Sequence, residues 1–454
     1  MHRYLMVVPE FPPEVLGGGG VVFSELAQRY INSGELLIVT GGWSGHYSSP
    51  SYKILSQRCI LLRLPLVRNR WDAPALRSTL PPTWSSYRLL SMTLRAWKPG
   101  AAHLHGIGYL LVDSAARILS AMGTPYLLTN HGMPVSYQWG RRSWLKRIAY
   151  DMYTEMFANT TIDRASNITA VSLAEATSFR NAEVIPNGVA TVPDDEIREP
   201  DLVLCGGVPD DMKVPLIVAC GRLAPNKGFD ILLLALGQLR QPLRCVIAGA
   251  DGGELQRLQR IAARIKQDVY VAFTGPLRRD EVAWLMREAS LVVIPSVTEP
   301  FGLVAFEALA MGARIVATNT GGLGEWLGNR ALPATLAKPG SAVSLAQCIR
   351  SSLQLGRPTP LEVHAVRQLL DMLSWDRIAD QYIQLLVMTD PVSKCETNEW
   401  PSCVCTGRRN AAKQSEGPDR RHLRQRSHTL SLGLQLSCQN DIVGGPPPLR
   451  AGSL

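Results

Sequence analysis

Two carboxylates, Glu299 and Glu307, stand with seven residues between them in Pro295-Ser296-Val297-Thr298-Glu299-Pro300-Phe301-Gly302-Leu303-Val304-Ala305-Phe306-Glu307-Ala308. Carboxylates accept hydrogen bonds from vicinal hydroxyls, so a pair of them suits the two ends of a sugar nucleotide. Glu299 closes a loop after an apolar strand, and Pro300 fits the first turn of a helix. Glu307 then lies about two turns along, which predicts both carboxylates on one side of that helix. Glu307 is embedded among Ala305, Phe306, Ala308 and Leu309, a setting in which an acid usually has a partner or a function. The free amides near Phe301, Gly302 and Leu303 can bind a phosphate. A purely structural alternative fits the same residues: an acid complementing the helix dipole, plus a buried ion pair.

A second group is cationic. In Gly221-Arg222-Leu223-Ala224-Pro225-Asn226-Lys227-Gly228, Arg222 and Lys227 project from a strand end and a helix start and can converge on a diphosphate. Solvated loop cations are the plain alternative. The segment is not a Walker A loop, since the lysine precedes its glycine and no Ser or Thr follows. Four glycines, Gly17 to Gly20, follow the first strand and open a helix, where exposed amides make either an anion site or a flexible loop. The dinucleotide fingerprint fails there, because Val22 or Phe23 stands where its third glycine belongs and no acid marks Leu36–Thr40. That demotes a Rossmann oxidoreductase. His131, in Thr129-Asn130-His131-Gly132, is a candidate site histidine at a strand end. No D-x-D occurs, so a metal-bound diphosphate lacks sequence support.

The elements that must position these residues alternate along the chain. Tyr4–Val8, Leu36–Thr40, Ala102–His105, Tyr126–Thr129 and Ile168–Val171 read as strands, with a helix over Val21–Tyr30 and helical stretches between the later strands. After Pro186-Asn187-Gly188 the chain is irregular to about Lys213 and reads as a linker. The grammar then restarts with strands at Leu216–Ala219, Arg244–Ala248, Val269–Phe273, Leu291–Ile294 and Ile315–Ala317, and a helix over Asp230–Leu239. Two doubly wound α/β domains follow, with ligands expected at the carboxyl ends of the strands. From about Asp390 the pattern stops, and the basic Ser-, Gln- and Arg-rich remainder reads as a disordered tail.

Composition narrows the class. The chain has 454 residues, 46% apolar and 19% charged, as in globular proteins. No apolar run is long enough for a membrane-spanning helix, and the opening residues are too short for a secretory signal, so a cytoplasmic location is expected. Nine cysteines without a regular framework fit a reducing compartment. Cys59, Cys205, Cys220, Cys245 and Cys348 read as core residues, and Cys395, Cys403, Cys405 and Cys438 as free thiols. The net charge of +9 sits in the first half and the tail, while the middle is balanced. A basic half can face nucleic acid, an anionic membrane surface or a phosphorylated substrate. No nucleic-acid recognition motif is present, so no specific nucleic acid is expected as a partner. Arg141, Arg142, Trp144, Lys146 and Arg147 together suit either an anionic membrane interface or an ordinary solvated helix face.

The motifs also carry a resemblance. Glu299 and Glu307 within E-P-F-G-L-V-A-F-E-A resemble the E-x7-E signature of family 4 retaining glycosyltransferases of the two-Rossmann, GT-B fold. Pro12–Gly20, Thr129–Pro134, Ala170-Val171-Ser172, Val184–Val189, Gly221-Arg222 with Lys227-Gly228, and Gly321-Gly322 with Glu325 agree in order. The similarity runs from about residue 4 to 388, and Gly41 to Pro99 departs from the family pattern. It implies an acceptor-binding domain over 1–195 and a donor-binding domain over 196–390 whose last helix packs back on the first. The tail, 391–454, has no counterpart. It further implies a retaining, metal-independent hexosyltransferase in polysaccharide or glycoconjugate synthesis. The nucleotide-diphosphate sugar would be a co-substrate with no other cofactor. The acceptor would be a glycan or a lipid-linked molecule, and the basic cluster Arg141–Arg147 points to an anionic or lipid-linked one reached from the cytoplasmic, inner face of the membrane. By the same resemblance Arg222 and Lys227 hold the diphosphate, Glu307 the ribose and Glu299 the donor sugar. The amides of Phe301, Gly302 and Leu303 touch sugar and phosphate, Gly18 and Gly19 let the first domain close, and His131 lies near the anomeric centre. The rival reading is a non-catalytic nucleotide-sugar-binding subunit of a glycosyltransferase complex.

Overall fold

A computed structural model describes residues 2–13, 18–42, 49–66, 82–132, 151–201, 214–239, 241–265, 268–328 and 331–389. In the first half, eight strands form one sheet: β1 (His2–Val8), β2 (Gly34–Gly42), β3 (Ser51–Ser56), β4 (Cys59–Pro65), β5 (Ala101–His105), β6 (Tyr126–Asn130), β7 (Asn167–Ala170) and β8 (Ala182–Val184). Their spatial order is β3-β4-β2-β1-β5-β6-β7-β8, and only the β3–β4 pair is antiparallel. The helices are α1 (Gly19–Ser33), α2 (Trp84–Trp97), α3 (Leu110–Met122), α4 (Asn159–Asp163), entered through a π turn at Thr154–Ala158, and the short α5 (Leu173–Ala176). Tyr4 through Val8 are all buried because helices cover both faces of a parallel sheet, so the strand reads as an unbroken apolar run. Leu90 and Leu94 of α2 and Leu111, Ala115 and Leu119 of α3 fill one face, and Phe23, Leu26 and Tyr30 of α1 fill the other.

The second half has strands β9 (Leu216–Cys220), β10 (Leu243–Ala248), β11 (Val269–Gly275), β12 (Leu291–Ile294), β13 (Ile315–Thr318) and β14 (Ala334–Ala337). They are all parallel, in the order β11-β10-β9-β12-β13-β14. Helices α6 (Phe229–Leu236), α7 (Leu255–Ala262), α8 (Arg279–Glu288), α9 (Leu303–Ala310), α10 (Gly321–Leu327), α11 (Ala342–Leu355), α12 (Pro360–Met372) and α13 (Trp375–Thr389) complete it. This is the doubly wound order, with its switch point between β9 and β12. Pro360 at the first position of α12, with Thr359 and Glu362 forming a capping box, shows how local chemistry sets a helix start.

Helix α13 returns to the first half. Its Trp375, Ile378, Ala379, Tyr382 and Leu386 share a core with Tyr4, Phe23, Leu26 and Tyr30, and its Asp376 accepts from Arg29 Nε at 2.6 Å. All described residues belong to one unit, Met1–Glu399. The carboxyl ends of β1, β5 and β6 therefore face those of β9, β12 and β13 across a cleft, with contacts between the halves at Gly18–Leu303 and Gly132–Pro300. Among the described residues no helix is long and apolar enough to cross a membrane.

Candidate active site

The cationic loop follows β9. Gly221 donates its amide to Ala248, and Leu223 to Ala250, which ties the loop to the end of β10. A single 3-10 turn, Pro225–Lys227, then precedes α6. Lys227 runs back past Gly221, and its ammonium donates to Glu299 Oε2 at 2.6 Å. Ser296 Oγ donates to the same oxygen at 2.9 Å. Arg222 Nε is buried and has no hydrogen-bond partner among the described residues. A desolvated guanidinium nitrogen without a partner is costly, and an anion would satisfy it.

Glu299 is not on a helix. Gly302 is the N-cap of α9 with φ 91°, and the amide of Gly322 donates to the carbonyls of Glu299 and Pro300 at 3.2 Å each. The segment 299–302 is thus a loop pinned against the start of α10. This corrects the expectation that Pro300 occupies the first helical turn and that Glu299 and Glu307 share a helix side. The left-handed turn at Gly302, which only glycine adopts readily, starts the helix three residues later than the proline suggested. Glu307 lies in the middle of α9, and burial raises its pKa while Arg279 of α8 lowers it. The Cys220 thiol, at the end of β9, is pushed up to about 12 by burial and then by the Glu307 charge. Glu307 therefore sits beside the strand end from which Arg222 departs.

Phe301 is buried and stacks on Phe306 with ring centroids 4.7 Å apart, so its side chain belongs to the core and only its backbone is left for a ligand. Leu303 opens α9 and faces Gly18, where a Cβ would come within 3.2 Å of Leu303 Cδ1. A Cβ on Gly19 would lie 2.9 Å from Glu10 Oε1, the oxygen that accepts the Gly20 amide at 3.1 Å. Small residues here let the first half approach the amino end of α9. The Tyr109 phenol is raised by burial and the Glu10 charge and lowered by Arg222, which places Arg222 within electrostatic reach of the opposing half.

His131 follows β6. Its Nε2 shares a 3.0 Å hydrogen bond with Nδ1 of His105, and its ring meets Phe23 edge-on. Burial lowers its pKa to about 4, so the ring is neutral at pH 7. Behind it, His103 Nδ1 pairs with the Tyr30 hydroxyl at 2.7 Å and Nε2 with Thr129 Oγ1 at 2.6 Å. Sequence reasoning missed this stack; its available signal was the alternation His103-Leu104-His105, which puts two rings on one strand face. It also missed Glu10 and Arg279. Arg141, Arg142, Trp144, Lys146, Arg147, Cys205 and the tail from 391 lie outside the described residues.

Residues 16–192 match the family described as Glycosyltransferase Family 4, and residues 208–362 that described as Glycosyl transferases group 1. A D-inositol 3-phosphate glycosyltransferase of Corynebacterium jeikeium is 42% identical over 126 residues, covering 26% of this chain and 30% of that protein. The chain thus matches less than a third of that relative's length. An uncharacterized glycosyltransferase of Methanocaldococcus jannaschii is 25% identical over 405 residues, covering 84% of this chain and 97% of its own. The Anabaena protein HepE, solved in complex with UDP and glucose, superposes with a TM-score of 0.62 at 19% identity, covering 86% of this chain and all of that one. The fold is GT-B, and the two matched segments, with the ordered motifs within them, establish that this chain belongs to the group 1, family 4 glycosyltransferases.

Proposed function

We propose that this protein moves a hexose from a nucleotide-diphosphate sugar to a glycan or lipid-linked acceptor with retention of anomeric configuration and without a metal ion. The observation that carries the reading is the cluster at the mouth of β9 and β12: the Lys227–Glu299 pair beside an unpartnered Arg222 nitrogen. Its electrostatics match what the reaction needs. Breaking the bond from the anomeric carbon to the phosphate oxygen leaves its electron pair, and negative charge, on the diphosphate. Fixed cations and the amides of Phe301, Gly302 and Leu303 stabilise that charge as it develops, with no proton donated by a protein acid. The acceptor hydroxyl forms the new bond on the same face, and its proton goes to the departing phosphate oxygen.

Within this reading Glu299 exchanges Lys227 for hydroxyls of the donor sugar, Glu307 receives the ribose, and neutral His131 accepts or donates a hydrogen bond beside the anomeric carbon. Gly18 and Gly19 leave room for the diphosphate as the halves approach. The neighbour solved with UDP and glucose supports a nucleotide-sugar donor, and the relative named for D-inositol 3-phosphate supports a hydroxyl-bearing acceptor. Saturation-transfer-difference NMR with UDP-, GDP- and ADP-sugars tests the donor site. Selective enhancement of one nucleotide sugar, lost in Lys227→Ala, is the expected result. Silence across the panel with folded protein would remove the reading.

A further inference from the structure

The segment that departs from the family pattern builds a surface with its own chemistry. Strand β3 is the edge of the first sheet and pairs only with β4. Helix α2 lies beside it, with the Tyr52 hydroxyl 3.0 Å from Thr93 Oγ1. Ile54, on the same side of β3 as Tyr52, is 75% exposed, and Tyr52 is 54% exposed. Along α2, Trp84, Arg88, Met92 and Arg95 follow at spacings of four, four and three, which is one helical face. All four are exposed, Trp84 at 75% and Met92 at 66%. The opposite face, Leu90 and Leu94, is buried in the core. Large apolar side chains left in water over two adjoining elements mark an interaction surface.

Charge identifies the partner. Lys53, Arg58, Arg88, Arg95 and Lys98 are exposed on β3, the β3–β4 turn and α2, and no acid occurs among the described residues 49–66 and 82–98. Such a bias attracts an anionic surface, and the interleaving of Trp and Tyr with arginines matches residues that settle at a lipid headgroup boundary. The face is lateral: three strand steps separate β3 from β1, where the cleft opens, so occupying it leaves the site accessible. We infer that the outer face of α2 and the edge strand β3 form a docking surface for an anionic lipid bilayer.

Cosedimentation of the full chain with vesicles tests this. Wild-type protein should pellet with mixed phosphatidylglycerol–phosphatidylcholine vesicles and not with phosphatidylcholine alone, and added salt should weaken the binding. The exposed-residue variant Arg88→Gln/Arg95→Gln should bind roughly 30-fold more weakly, from about 1 kcal/mol per cation near the surface. Trp84→Ser/Met92→Ser should weaken binding with the charge intact, and circular dichroism should report an unchanged fold in both. Vesicle binding equal to wild type in both variants, or none to begin with, would overturn the assignment. So would a dimer seen by light scattering that Trp84→Ser dissolves, because the face would then belong to a second copy. No donor is needed, so failure here leaves the transfer reading standing, and failure of that reading leaves vesicle binding to be judged alone.

Discussion

The Lys227 ammonium and the Glu299 carboxylate lie 2.6 Å apart, each mostly shielded from water, at the one place in the cleft where Ser296 also reaches the carboxylate. Without a ligand the cation and the acid neutralise each other. A diphosphate competes for the lysine and sugar hydroxyls compete for the glutamate, so a donor satisfies both partners while separating them. Glu299→Gln should therefore leave nucleoside diphosphate affinity equal or tighter, because Lys227 is released, while turnover falls by about 100-fold or more. Isothermal titration and initial rates on the same preparation would check the split; affinity and turnover falling together would refute it.

Lys227→Ala should do the opposite to binding. It removes a charge-assisted contact to the diphosphate and leaves Glu299 without its cation, so nucleoside diphosphate affinity should drop by about tenfold or more. Titration with UDP, GDP and ADP would measure it, and unchanged affinity for every nucleotide would move the diphosphate site elsewhere.

His105 acts through His131. Their 3.0 Å hydrogen bond fixes which nitrogen of His131 faces the cleft, and the His105 ring stacks between His103 and His131. His105→Phe keeps the ring and loses the bond, so turnover should fall about tenfold, equivalent to one hydrogen bond of roughly 1.4 kcal/mol. Nucleotide affinity should stay constant, since the change lies across the cleft from the diphosphate loop. Loss of nucleotide affinity in this variant would mean the histidines support the fold and not the reaction.

The histidine stack also sets a pH dependence. Burial holds His131 near 4, and desolvation holds His103 and His105 well below the ordinary 6.5. The unfolded chain takes up protons near 6.5 while the folded chain does not, so stability is complete above that value and falls as the pH drops towards 4. His131 alone should cost about 2 kcal/mol at pH 5. Urea denaturation at pH 7.5 and pH 5 would reveal the loss, and an equal midpoint at the two pH values would contradict the buried neutral rings.

Much of this was legible in the sequence, and the omissions have physical reasons. Buried parallel strands such as Tyr4–Val8 and Leu291–Ile294 read clearly because both faces are covered. The two cations, Glu299 and Glu307 were identifiable because their residue types stand out in apolar or glycine-rich segments. The relation between the glutamates was misread because it depends on one left-handed residue, Gly302, which no periodicity reports. Helix α2 escaped notice because Trp84 and Met92 lie on its exposed side and blur the apolar period. The pairing of His105 with His131 joins adjacent strands 26 residues apart, a register that only the folded sheet supplies.

Gly302 offers a direct check on that loop. A Cβ there would run into Leu323, and its φ of 91° disfavours any other residue. Gly302→Ala should destabilise the protein by roughly 1–3 kcal/mol and displace Glu299 from Lys227. A thermal melt would detect the first effect and nucleotide titration the second; a wild-type melting temperature would rule out the strained geometry.

The most direct test of the central claim is donor turnover by the full chain, followed as release of nucleoside diphosphate by mass spectrometry with UDP-, GDP- and ADP-hexoses and a panel of glycan and lipid-linked acceptors. Release from one donor class is expected, coupled to sugar appearing on the acceptor with its anomeric configuration retained, and reduced about 100-fold or more in Lys227→Ala and Glu299→Gln. Release that persists in both variants, or a product of inverted configuration, would contradict it.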